Sequence, residues 1–231
     1  MNVPEVPVPV LVARFVAAFA MLAIGPVLLW DAFRGLGFVA DNPTVAANVA
    51  GSMGALLVAA AAVAAFAIRQ RPASPWYPVA PFHVFAAYVP FVLAWGGLLF
   101  AYLGLVQVTP QLPLEYLATR PFGDAGFWLV IAGITIAAPV AEEIVFRGYL
   151  QGALLRVMPP WAAIGLTAAV FGLAHTLPYA LPVGLLGAFF GWLSLRHRSL
   201  LAPIAAHSLH NAVTVAVTLG WPGSLDVLYR R

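Results

Sequence analysis

The sequence predicts an all-α, polytopic membrane helix bundle of about seven transmembrane helices, with an eighth as the alternative. Three observations carry this expectation. Of 231 residues, 63% are hydrophobic and only 8% charged, whereas a soluble domain dresses its surface with roughly a quarter charged residues. Mean hydropathy is +0.95. The apolar residues also fall into runs long enough to cross a hydrocarbon core, which takes about 20 helical residues. One membrane domain over residues 1–231 is the simplest organisation for this length.

The spans are expected at 9–30, 45–68, 79–106, 125–157, 160–177, 180–196 and 199–219. Ala18-Phe19-Ala20 in the first has the small-x-small look of a signal-peptide cleavage site. No positive charge precedes the run and Arg14 interrupts it, so a membrane helix is expected instead. Punctuation follows at Asp41-Asn42-Pro43, Arg71-Pro72-Ala73-Ser74-Pro75, Thr109-Pro110, Arg120-Pro121, Pro159-Pro160 and Arg196–Arg198. The fourth run is too long for a simple crossing: at 1.5 Å per residue it reaches about 50 Å, against roughly 30 Å of hydrocarbon. It either tilts and protrudes or breaks at Pro139. In the sixth, Gly184, Gly187 and Gly191 follow the spacing of a close helix contact.

Charge narrows the function classes. The net charge is +3 and no basic cluster exceeds two or three residues, which suits loops at anionic lipid and excludes a nucleic-acid surface. Cysteine is absent, which excludes disulfides, Cys-ligated metals and thiol nucleophiles. Arg69, Arg71, Arg156, Arg196 and Arg198 fall on one side of a seven-span arrangement, expected to be cytoplasmic. Arg34, Arg120, Arg230 and Arg231 fall on the other. Asp31, Asp41, Glu115 and Asp124 are expected in loops. Trp30, Trp76, Tyr77, Trp161 and Trp221 are expected in interfacial belts, Arg14 snorkelling, and His83 near an interface.

Ionisable groups inside membrane spans are costly and mark functional sites by default. The fourth span carries Glu142-Glu143-Ile144-Val145-Phe146-Arg147. Positions i and i+4 align on a helix, so Glu143 and Arg147 form a natural pair, while Glu142 points elsewhere and stays available. The bland alternative is a helix end with all three charges at the headgroups. The fifth span ends Phe171-Gly172-Leu173-Ala174-His175; a single histidine there also reads as a satisfied interfacial residue. The seventh holds His207-Ser208-Leu209-His210-Asn211, with His207 and Asn211 on one face and His210 some 60° round from it. Alone, that face reads equally as a helix–helix hydrogen-bonding patch. Counted from the cytoplasmic ends, Glu142, His175 and His207 lie about 22, 22 and 12 Å deep, depths that one cavity accommodates if the helices tilt. A carboxylate, two imidazoles and an amide there can deprotonate water and bind an oxyanion.

In these residues the chain resembles the CPBP intramembrane proteases, the family of CAAX prenyl endopeptidases and many bacterial relatives. The family's Glu-Glu-x-x-x-Arg, Phe-x-x-x-His and His-x-x-x-Asn motifs stand here, in order, as Glu142-Glu143…Arg147, Phe171…His175 and His207…Asn211, within residues 125–217. The resemblance implies an endopeptidase in a bacterial plasma membrane that cuts a membrane-associated peptide or protein, lipidated or not. Glu142 would activate water with help from His175, and His207 and Asn211 would stabilise the oxyanion. Glu143 and Arg147 would position Glu142, and Phe171 would pack. No acyl-enzyme is expected, since Ser208 projects about 100° from His207. The family's description as metalloproteases leaves a divalent metal such as zinc open, with Glu142, His175 and His207 as its ligands. The metal-free arrangement is favoured, because a metal-bound Glu142 leaves only Glu143, already paired with Arg147, as base. The rival classes are a non-catalytic bacteriocin-immunity protein on the same scaffold and a proton-coupled transporter.

Overall fold

The computed structural model describes residues 6–36, 44–106, 109, 111–119, 125–221 and 223–229. Asp41-Asn42-Pro43, Pro110, Arg120-Pro121, Asp124, Arg230 and Arg231 lie outside the described residues. What is described is helical, with no strand among the described residues.

The first expected span is two helices, α1 (Val8–Ala23) and α2 (Gly25–Gly35), bent by 41° at Ile24. Pro26, in the first turn of α2, has no N–H to carry a straight helix through this point. Asp31 therefore sits in a helix, not in the expected loop. α3 (Val45–Gln70) starts at Thr44, whose hydroxyl accepts from the Ala47 N–H, and it stops at Arg71, where φ is 41°. Arg14 does not simply snorkel: its guanidinium donates to the Arg71 carbonyl at 3.3 Å. α4 (Pro81–Leu105) follows, then the short α5 (Leu112–Thr119), which contains Glu115, another acid expected in a loop.

α6 (Gly126–Leu154) runs 29 residues without a break at Pro139. The chain absorbs that proline with a π-helical turn at Gly133–Ala137, and widens again at Ile144–Gln151. Turns of this type are common at functional sites. α7 (Pro160–Leu173) ends before His175, earlier than the sequence suggests, and α8 (Ala180–His197) returns beside it. α9 (Leu201–Gly220) and the short α10 (Ser224–Tyr229) complete the described chain.

Helices occupy all seven expected positions, but fewer qualify as spans on their own. α3, α4, α6 and Leu177–His197 are long and apolar enough to cross a membrane, and the bent α1–α2 pair makes up to five. α7 has 14 residues, which is about 21 Å. α9 is long enough, but His207, His210 and Asn211 hold its hydropathy down. The chain is an integral membrane protein with an all-α bundle, and α6 is its hub: α1, α3, α7, α8 and α9 all pack on it.

The expected glycine contact is there. α7 and α8 approach so closely that a Cβ on Gly172 would lie 2.2 Å from the Ala180 carbonyl oxygen. A Cβ on Gly187 would lie 2.9 Å from the Phe171 ring. Of the aromatics expected at interfaces, Trp76, Tyr77, Trp161 and Trp221 are exposed. Trp30 instead packs between helices, its ring over Gly51 and its Nε1–H on Asn48 Oδ1 at 3.2 Å.

Loop hydrogen bonds gather the arginines at one end. Leu200 N–H donates to the Pro75 carbonyl and Ala73 N–H to Gly148, both at 2.9 Å, while Arg156 donates to the Val6 carbonyl. Thr119 lies at the other end, because α5 packs against Val49 near the start of α3. The 26 residues of α3 separate the two ends by about 39 Å. Cysteines placed singly at Gln70 and Thr119 are therefore expected to react with a membrane-impermeant thiol reagent from opposite sides. Labelling of both from one side would contradict this arrangement.

Candidate active site

Three helices supply the polar groups, and α6 supplies the reason they meet. Glu142 and Glu143 are adjacent on α6 and point apart, as 100° per residue requires. Glu143 turns inward and is fully buried. Its Oε1 accepts from Arg147 Nη1 at 3.0 Å and from His207 Nδ1 at 2.9 Å. Arg147 is also fully buried, and a lone buried guanidinium is costly unless its donors are answered. Its Nη2 donates to the Gly187 carbonyl at 2.7 Å, and the group lies over the rings of Phe171 (4.5 Å) and Phe190 (5.6 Å). Phe190 stacks on the His207 ring at 4.7 Å and 20°. One turn on, Gln151 Nε2 donates to the Gly191 carbonyl at 3.0 Å. The sequence pairing of Glu143 with Arg147 holds, with His207 as a third member.

Glu142 faces a cavity of about 490 Å³, lined also by His175, His207, His210, Asn211 and Phe171. That is the size of a small-molecule or short-peptide site. Its Oε2 has no hydrogen-bond partner and stands 3.9 Å from His207 Nε2. That gap is too long for a direct hydrogen bond. A buried carboxylate oxygen without a partner is rare enough to call for a reason.

The histidine tautomers follow from their partners. His175 Nδ1 lies 2.8 Å from the Phe171 carbonyl. A carbonyl only accepts, so Nδ1 carries the proton and Nε2 presents a lone pair. By the same logic His207 Nδ1 donates to Glu143, leaving Nε2 on the Glu142 side. His175 sits just beyond the end of α7, and its side chain answers the Phe171 carbonyl in the helix's last turn.

Asn211 does something the sequence did not suggest. In the π-helical turn, Ala138 N–H bonds to Gly133, and Pro139 has no N–H. The Ile134 carbonyl is thus left without a helical donor, and Asn211 Nδ2 supplies one at 2.8 Å. This fixes α9 against the turn of α6 just before Glu142. One amide hydrogen of Asn211 remains.

The sequence reading also missed α4. Tyr88 and Trp95 line the same cavity, with the Tyr88 hydroxyl at 3.3 Å from His210 Nδ1 and the Trp95 and His210 rings in a T-shaped contact at 4.9 Å. Aromatic residues are ordinary in apolar helices, so nothing in the pattern singled these out.

As to a metal, His175 and His207 offer Nε2 lone pairs and Glu142 an unpartnered oxygen, the donor types of a hydrolytic zinc site. Among the described residues, however, no three His, Asp or Glu side chains converge closely enough to hold an ion.

Comparison with known proteins follows the same motifs. Residues 124–213 match the family described as Type II CAAX prenyl endopeptidase Rce1-like. Over this segment the chain is similar to that family. It contains Glu142, Glu143, Arg147, Phe171, His175, His207 and Asn211. A Bacillus subtilis protein named "Putative membrane peptidase YdiL" is 32% identical over 92 residues, 39% of this chain and 38% of that protein. The chain thus matches well under half the length of this relative. No solved structure matches.

Proposed function

We propose that the chain is an intramembrane endopeptidase, working as one membrane domain of a bacterial plasma membrane. It would hydrolyse a peptide bond of a membrane-associated substrate by an activated water. The observation that carries this reading is the unpartnered Glu142 carboxylate at the cavity wall, 3.9 Å from His207 Nε2.

Glu142 takes a proton from the substrate water, and the His175 Nε2 lone pair accepts the water's other hydrogen and aims it. The water oxygen attacks the peptide carbon, and the carbonyl oxygen becomes an oxyanion. His207, in its protonated form, and the remaining N–H of Asn211 donate to that oxygen. Glu142 then returns its proton to the leaving nitrogen as the C–N bond breaks, giving an amine and a carboxylic acid, which keeps the water's other proton until it ionises to solvent. Arg147 and Glu143 touch no substrate; they hold His207 and the α6 turn that presents Glu142. The steps as written use each of these residues once and route none through a metal.

The substrate is unidentified, so the informative experiment compares membrane proteomes of cells making the wild type or Glu142→Gln. A set of membrane proteins trimmed only with the wild type is expected; identical proteomes would count against the peptidase reading. Purified active protein is also expected to hold substoichiometric zinc, with only weak inhibition by phenanthroline. Zinc at one equivalent, lost together with activity and restoring it on return, would decide for a metalloenzyme.

A further inference from the structure

The peptidase reading leaves one buried histidine without a role. His210 lies one helical turn from His207, lines the same cavity and is 8% exposed. Its ring is held on two sides, by the Tyr88 hydroxyl at Nδ1 and by the Trp95 ring, which meets it in a T-shaped contact. Tyr88 is itself buried, and His210 Nδ1 is the partner its hydroxyl meets. A buried hydroxyl left without an acceptor is costly, so Tyr88 donates and Nδ1 accepts. In the neutral ring the proton then sits on Nε2. Among the described residues the His210 side chain hydrogen-bonds only through Nδ1, which leaves Nε2–H unused.

The neighbouring donors are less ready. Neutral His207 uses its only proton on Glu143 and must gain another before it donates through Nε2. Asn211 uses one amide hydrogen on Ile134. We infer that His210 Nε2–H, fixed in that tautomer by Tyr88, is a further donor to the substrate's carbonyl oxygen as it becomes the oxyanion. His210 would then be a catalytic residue and Tyr88 a positioning residue that acts through it. This inference rests on the peptidase reading of the cavity.

The test uses the full chain in lipid nanodiscs as wild type, His210→Phe, His210→Gln and Tyr88→Phe, with Glu142→Gln as reference. Hydrolysis of a membrane-anchored quenched-fluorescent apolar peptide gives kcat and KM. Fluorine NMR gives the affinity of a peptidyl trifluoromethyl ketone, whose hydrate has the tetrahedral geometry. Loss of one oxyanion donor lowers kcat by about 10²-fold, so that fall is expected in His210→Phe with little change in KM and a parallel loss of ketone affinity. His210→Gln, which keeps an N–H donor, should recover about tenfold of it, and Tyr88→Phe should fall between. A kcat for His210→Phe within about threefold of wild type, or equal losses in the Phe and Gln variants, would overturn the inference. If His210→Phe does not fold, unchanged kcat and ketone affinity in Tyr88→Phe overturn it instead. Hydrolysis absent from the wild type would remove the peptidase reading, and hydrolysis retained in Glu142→Gln would remove Glu142 as its base, while the ketone affinities still rank the His210 variants.

Discussion

Glu143→Gln is expected to destabilise the fold by about 3–5 kcal/mol, the cost of leaving one member of a buried ion pair without its counter-charge. The carboxylate is fully buried and joins Arg147 on its own helix to His207 on α9. Glutamine keeps an acceptor oxygen but removes the charge that answers the guanidinium. The loss is to be read as a lower melting temperature in detergent or a lower midpoint in denaturant. Adding Arg147→Met to Glu143→Gln should restore part of it, because the stranded charge is then gone and the thioether packs between Phe171 and Phe190. A Glu143→Gln protein that melts like the wild type would contradict this account of the network.

The reach of the sequence was set by distance along the chain. Glu143–Arg147 was legible because it lies within one helix, where i and i+4 must meet. The freedom of Glu142 followed from the same geometry. The Glu143–His207 bond spans 64 residues and the Asn211–Ile134 bond 77, and no local rule reaches that far. Pro139 announced an irregularity, yet its outcome depended on Asn211 arriving to satisfy the freed carbonyl. Tyr88 and Trp95 were hidden for a different reason: in lipid-facing and cavity-facing positions alike, an aromatic residue fits the apolar pattern. The bend at Ile24 was readable in Gly25-Pro26, but a continuous apolar run masked it. Helix positions were well marked by hydropathy. Whether each helix crosses the membrane was not, because α9 exchanges apolarity for the polar face that builds the site.

Glu142→Gln is expected to have the opposite signature to Glu143→Gln. Its carboxylate faces the cavity, has one oxygen without a hydrogen bond, and approaches His207 Nε2 only at 3.9 Å. Folding should therefore be almost unaffected, while catalysis loses its base, a loss of about 10³-fold. A bacteriocin-immunity protein on this scaffold would show no proteolysis to lose. A proton-coupled transporter would lose transport, with its membrane proteome untouched.

The most direct measurement places purified wild type and Glu142→Gln side by side in lipid nanodiscs. Each is given a membrane protein found trimmed only in wild-type cells, and new termini are followed by mass spectrometry. The account predicts one cleavage site, cut by the wild type and about 10³-fold more slowly by Glu142→Gln, at indistinguishable melting temperatures. Cleavage by folded Glu142→Gln within about tenfold of the wild-type rate would contradict the assignment of Glu142 as the base.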